Sequence, residues 1–134
     1  ARVQGERVVR MIDEFPVFAL AAACAEGRTV VAEAEELRHK ESDRISVLGQ
    51  ELRRLGAAFE ETADGFVIEG GQPLAGGAAD ANGDHRLAMT LALAGLVSRT
   101  PVQVRGAEMI RESFPEFVQV LAGLGADLRE EFAG

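Results

Sequence analysis

A single cysteine, Cys24, means that no disulfide framework can form within the chain, and so sparse a thiol inventory is expected of a reducing compartment. Cys24 lies in an apolar stretch beside no residue that would activate it, so a packed, unreactive thiol is expected there. Basic residues are in the minority: 14 Lys and Arg stand against 22 Asp and Glu, for a formal charge of −8. Duplex binding calls for a concentrated basic face, and none stands out, so nucleic acid is not expected as a partner. Long hydrophobic runs are missing too. The longest, residues 16–25, is about half of the roughly 20 residues that span a bilayer, which argues against a membrane. Nor does a cationic start lead into an apolar stretch and a cleavage site, so no secretory signal is expected. A soluble, cytoplasmic chain results, and 134 residues suffice for one ordinary domain with its own core.

What the chain does contain is an internal repeat. Residues 13–29 (DEFPVFALAAACAEGRT) lie over residues 84–100 (DHRLAMTLALAGLVSRT), with Asp, Leu, Ala, Ala, Arg and Thr falling in register. Further on, Ile45, Leu48, Leu52 and Leu55 reappear as Phe114, Phe117, Leu121 and Leu124, each set followed by Gly-Ala. A duplicated segment of this length is an architecture. Two units are expected, about 7–71 and 77–132, joined by the small-residue stretch 70–77.

The first unit is expected to open near Arg7 and Val8. Its first helix, about 14–26, has Pro16 in the opening turn and Gly27 past the end. It is apolar around its circumference and so should be enclosed by protein. Residues 29–34 read as a strand and 35–39 as a polar connection. Residues 42–55 read as an amphipathic helix with a charged flank of Gln50, Glu51, Arg53 and Arg54. Segments 58–62 and 66–69 read as a hairpin turning at Asp64-Gly65. The second unit repeats the plan: a buried helix over 87–97, a strand at Val102 and Val104, a last helix behind a Ser113/Glu116 capping box, and a closing strand over 127–131. The fold class is α/β (α+β), built from repeated β-α-β-α-β-β units whose sheets wrap around buried helices.

Both buried helices begin with charge, Asp13-Glu14 in one and Asp84-His85-Arg86 in the other. A helix start carries free N–H groups and about half a positive charge, so several such ends on one side make an anion site. An Asp there can equally be an ordinary cap worth about 1 kcal/mol. Arg86 opposes the dipole and fits better if an anion binds. The densest cluster of charge is Arg38-His39-Lys40-Glu41-Ser42-Asp43-Arg44. If its end is helical, Lys40 and Arg44 share a face around Glu41, which suits an anionic substrate and one proton-moving group. Charge pattern alone equally describes a solvated turn.

The string from Leu37 to Arg44 resembles the L-R-x-K-E-S-D-R signature of the 5-enolpyruvylshikimate-3-phosphate synthase family, shikimate-pathway enzymes inhibited by glyphosate. Ile12-Asp13-Glu14-Phe15-Pro16 resembles the family's I-D-E-x-P, and Gly83-Asp84-His85-Arg86-Leu87-Ala88-Met89 its G-D-H-R-x-A-M. Ser113-Phe114-Pro115-Glu116-Phe117 resembles its S-F-P-x-F. Four motifs in order are far more specific than one.

The resemblance implies transfer of the enolpyruvyl group of phosphoenolpyruvate to shikimate 3-phosphate, by addition and elimination, without metal or cofactor. It implies that Asp13 orients and deprotonates the attacking hydroxyl and that Glu41 serves the methylene carbon. Lys40 would neutralise charge near the reacting oxygen, Arg44 and Arg86 would hold phosphoenolpyruvate, and His85 would be a supporting neighbour. Many family members carry a Lys just before the S-F-P motif; Glu112 stands there, beside Arg111, and that role is not carried over. The family enzyme has two domains of three units each, so the resemblance also implies a C-terminal piece of a longer enzyme, inactive alone. The complete enzyme would be a monomer, and the piece is prone to self-association. Related readings are the enolpyruvyl transferase that acts on a UDP-amino sugar, and a non-catalytic anion-binding domain of the same fold.

Overall fold

Apolar residues at three- and four-residue spacing, broken by glycines, set the elements of the chain. A computed structural model describes residues 1–40, 42–112 and 114–127, with only the backbone of Glu112. The expected closing strand over 127–131 falls largely outside those residues.

A short strand, β1 (Arg2–Val3), is followed by α1 (Glu6–Arg10) and α2 (Phe15–Cys24). The opening strand therefore precedes Arg7 and Val8, which are helical. Val8 is buried while Val9 is 67% exposed, so a single helical turn seats one valine and leaves the other outside. β2 (Arg28–Val31) returns parallel to β1, pairing Arg2 with Val30. A 3-10 turn, Glu35–His39, leads to α3 (Arg44–Arg54). Asp43 starts α3 as a true cap, its carboxylate accepting from the N–H groups of Ile45 and Ser46, which is the standard use of an N-cap Asp. The hairpin β3 (Ala58–Thr62) and β4 (Gly65–Glu69) completes a sheet of order β1-β2-β4-β3.

The hairpin turns one residue earlier than expected. Thr62 pairs with Gly65, so Ala63 and Asp64 form the loop. Gly65 is needed for a different reason: a Cβ there would stand 1.9 Å from the Val31 carbonyl oxygen. Its missing side chain lets β4 lie against β2.

The second half repeats the parallel crossover. β5 (Gly77–Asp80) pairs with β6 (Val102–Arg105) on either side of α4 (His85–Ala94). A 3-10 segment, Ala107–Glu112, leads to α5 (Phe117–Gly123). The expected capping box is replaced: Glu116 occupies the cap position without a side-chain bond, and Ser113 lies outside the described residues.

The main core lies between the sheet and the helices. Phe66, Ile68 and Val31 of the sheet meet Phe15 and Ala19 of α2, Ile45, Leu48 and Leu52 of α3, and Leu87 and Leu91 of α4. Phe66 stacks on Phe59 at 4.8 Å between ring centroids and takes the edge of Phe15 at 6.3 Å. Burying each large apolar side chain contributes about 1.5–3 kcal/mol. The repeated apolar set is not buried alike in both halves: Ile45, Leu48, Leu52 and Leu55 are all enclosed, whereas Phe114 is 39% and Leu124 79% exposed.

Three expectations of burial are corrected. α2 is not enclosed all round, because Val17, Ala21 and Cys24 form one open stripe. Their spacing of four and three puts them on the side facing neither the sheet nor α4. Cys24 is accordingly exposed rather than packed. Glu51, expected on a solvated flank, is 1% exposed. Its carboxylate accepts from the Asp80 N–H at 2.9 Å and faces the Asn82 amide at 3.5 Å, fastening α3 to β5. No helix among the described residues is long and apolar enough to cross a membrane.

Candidate active site at converging helix starts

The N-terminal ends of α2, α3 and α4 come together around one guanidinium. Arg44, the first residue of α3, is 2% exposed. Its Nε donates to Asp84 Oδ2 at 2.8 Å and its Nη2 reaches Asp84 Oδ1 at 3.3 Å. Its Nη1 donates to Asp13 Oδ1 at 3.1 Å. The Ser42 hydroxyl joins the cluster, donating to Asp84 Oδ2 at 2.9 Å.

The two aspartates that match in the repeat have diverged. Asp84 is the N-cap of α4, and its Oδ1 accepts from the N–H groups of Arg86 at 2.9 Å and Leu87 at 3.2 Å. It is completely buried. Asp13 lies one residue before the cap position of α2, which Glu14 fills without a side-chain bond. Its side chain is 45% exposed, and its carboxylate turns to Arg44. A shared Asp thus serves as a buried anchor in one half and as a half-open carboxylate in the other.

Burial pushes the Asp84 carboxyl up, but the hydrogen bond and charge of Arg44, the Ser42 hydroxyl and the Leu87 N–H outweigh it. The net result lies below the usual carboxylate value. Asp84 therefore stays ionised, as a buried partner of Arg44 must.

Lys40, just past the 3-10 turn, and Arg86, in the first turn of α4, are both half-buried. Among the described residues neither side chain has an ion-pair or hydrogen-bond partner. His85 is half-buried next to Arg86. Arg86 is tied to the network through its backbone, since its N–H rests on the Asp84 oxygen that also faces Arg44 Nη2. Glu41, expected to move a proton, lies outside the described residues.

Arg38 belongs to the scaffold. Its guanidinium pairs with Asp43 at 2.9 Å and Glu61 at 2.8 Å and donates to the carbonyls of Thr62 and Ala63. The Glu61 hydrogen bond, working against desolvation, holds its pKa above the ordinary value. His39 points to solvent. Arg111 lines a separate shallow hollow with Pro115, Val118 and Gln119. Among the described residues, no group of three or more His, Cys, Asp or Glu side chains is placed to hold a metal ion.

Sequence reasoning brought Asp13, Arg44 and Arg86 to one neighbourhood but missed Asp84 and Ser42 as its members. The signal was present, since Asp84 sits opposite Asp13 in the repeat; reading it as an ordinary cap hid its second role.

The chain matches the family model described as EPSP synthase (3-phosphoshikimate 1-carboxyvinyltransferase) over residues 1–121. It is 53% identical, over 90% of its length, to a 3-phosphoshikimate 1-carboxyvinyltransferase of Roseiflexus sp., of which it covers 28%. It is 50% identical to the enzyme of that name from Herpetosiphon aurantiacus, covering 88% of the chain and 27% of the relative. Among solved structures it superimposes on EPSP synthase from Acinetobacter baumannii with a TM-score of 0.84 at 42% identity, over 88% of this chain and 28% of that one. The enolpyruvyl transferase NikO from Streptomyces tendae follows at 0.74 and 26% identity, over 99% of this chain and 29% of that one. The chain thus spans little more than a quarter of the relatives it matches. With its fold, its converging helix starts and these likenesses taken together, the chain belongs to the EPSP synthase family.

Proposed function

We propose that this chain is the C-terminal portion of a 3-phosphoshikimate 1-carboxyvinyltransferase and supplies one wall of its active site. The observation that carries the reading is the Asp13–Arg44–Asp84 network at three converging helix starts, flanked by the half-buried cations Lys40 and Arg86. Two polyanionic substrates require cations and helix N-termini to meet at one place.

Asp13 is the half-open carboxylate of the cluster and takes the proton of the attacking hydroxyl of shikimate 3-phosphate. That oxygen then bonds to the central carbon of phosphoenolpyruvate while the methylene carbon gains a proton from Glu41. In the second step the methyl carbon returns the proton to Glu41, the carbon–oxygen bond to phosphate breaks, and inorganic phosphate leaves with the proton that Asp13 had taken. Lys40 offsets charge near the reacting oxygen, Arg44 and Arg86 hold the carboxylate and phosphate of phosphoenolpyruvate, and His85 supports Arg86. The rest of the polypeptide supplies the facing wall and covers the open stripe of α2. Without that wall the substrates are not positioned, so the 134 residues alone are inactive.

The likeness to NikO admits another hydroxyl-bearing acceptor, but identities of 42–53% to the synthases against 26% favour shikimate 3-phosphate. The test is phosphate release by the full-length protein. Release should require both phosphoenolpyruvate and shikimate 3-phosphate, and a UDP-amino sugar should not substitute. Asp13→Asn should abolish it. Turnover by the isolated chain, or none by the full-length protein with both substrates, overturns the reading.

A further inference from the structure

Asp84 makes more bonds than a helix cap requires. Capping α4 uses Oδ1, which serves the N–H groups of Arg86 and Leu87. Oδ2 faces away from the helix and accepts from Ser42 Oγ and Arg44 Nε. With Nη2 at 3.3 Å from Oδ1, the Arg44 guanidinium is gripped along one edge. Two roughly parallel bonds fix both the plane and the rotation of a guanidinium, as a single bond does not. That orientation turns Nη1 to Asp13. The side chain that sets this arrangement is buried on a helix end packed into the core, so it has no freedom to follow Arg44 if Arg44 moves.

We propose that Asp84 is a positioning residue for the transfer reaction: it fixes the edge that Arg44 offers to the anionic three-carbon substrate and to Asp13, and Ser42 braces it. This rests on the function proposed above. Asp84 touches neither substrate and acts through Arg44, while its other oxygen sets the helix turn that carries Arg86.

Asn separates the two duties. Asn caps helices about as well as Asp, but it has only one acceptor oxygen. With that oxygen on the α4 N–H groups, its NH2 faces the Arg44 Nε donor. Asp84→Asn therefore keeps the helix start and takes the acceptor from Arg44 Nε, so the guanidinium is no longer gripped along one edge.

The experiment is steady-state kinetics on the full-length protein, with thermal unfolding followed in parallel. Asp84→Asn should raise the KM for phosphoenolpyruvate about tenfold or more, with the KM for shikimate 3-phosphate within about twofold of wild type. A purely structural Asp84 would lower apparent kcat with the folded fraction and move neither KM. Ser42→Ala removes one brace without stranding a charge, and should raise the same KM by about two- to fivefold. If Asp84→Asn does not fold, Ser42→Ala decides the matter alone. An unchanged KM for phosphoenolpyruvate in the folded variants overturns the inference. A wild-type protein that transfers nothing sinks the functional reading instead, so the two failures are told apart.

Discussion

The two carboxylates on Arg44 should contribute very differently to stability, although both lie within hydrogen-bond distance of it. Asp84 is wholly buried and Asp13 is 45% exposed in its side chain. Removing Asp13 leaves Arg44 still paired with Asp84. The lost interaction is then that of a partly solvated ion pair, about 0–1 kcal/mol. Removing Asp84 takes its wholly buried carboxylate partner from a guanidinium that is 2% exposed. Breaking a buried pair in this way costs about 3–5 kcal/mol, and loss of the α4 cap accounts for about 1 kcal/mol of that. Denaturant unfolding of full-length Asp13→Ala and Asp84→Ala, followed by circular dichroism, should separate them. Asp13→Ala should unfold close to wild type while losing transfer activity, and Asp84→Ala should be several kcal/mol less stable. Equal destabilisation would mean that burial does not distinguish the two, and the reasoning would fail.

Two further outcomes follow from particular positions. Gly65→Ala drives a Cβ to 1.9 Å from the Val31 carbonyl oxygen, so β2 and β4 must part; overpacking and a weakened ladder bond together should cost about 3 kcal/mol in unfolding free energy. Gly123→Ala, in α5 with nothing within 4 Å, should instead add about 0.5–1 kcal/mol. The pH dependence has a definite sign: the Asp84 carboxyl lies below its ordinary value of 3.8 in the folded state. Its contribution is complete above that value and is lost as pH falls through the lower folded one. The stability gap between wild type and Asp84→Asn should therefore hold steady from about pH 7 to 5 and narrow in acid below about pH 4, measured by urea midpoints across that range.

Much of this arrangement was legible in the residues. The stripe Ile45, Leu48, Leu52 and Leu55 announced the buried face of α3, and Gly27 and Gly56 marked the ends of α2 and α3. The matching Asp13 and Asp84 pointed to helix starts as the place for chemistry. Periodicity failed where the local pattern carried no tertiary information. The run from Val17 to Cys24 is apolar on every side, so nothing in it says which side stays uncovered. Glu51 reads as one more charge on a polar flank, yet the Asp80 N–H, 29 residues on, draws it inside. The placement of Gly65 depends on how near β2 lies, which no short-range turn signal contains. Asp84 was misjudged for a similar reason, since a cap is predicted from its own helix and its second oxygen is used by another.

Arg38 has a mechanical consequence for the loop that bears Lys40. By holding Asp43, Glu61 and the carbonyls of Thr62 and Ala63 at once, it rivets the base of that loop to the far tip of the hairpin. Ala63 and Asp64 lie on the outer rim of the sheet, where drift between related sequences is ordinarily harmless. Here a kink at that rim would be transmitted along one side chain to the foot of α3. The hairpin tip and the loop that bears Lys40 are thus one mechanical unit, although 24 residues of chain separate Arg38 from Thr62.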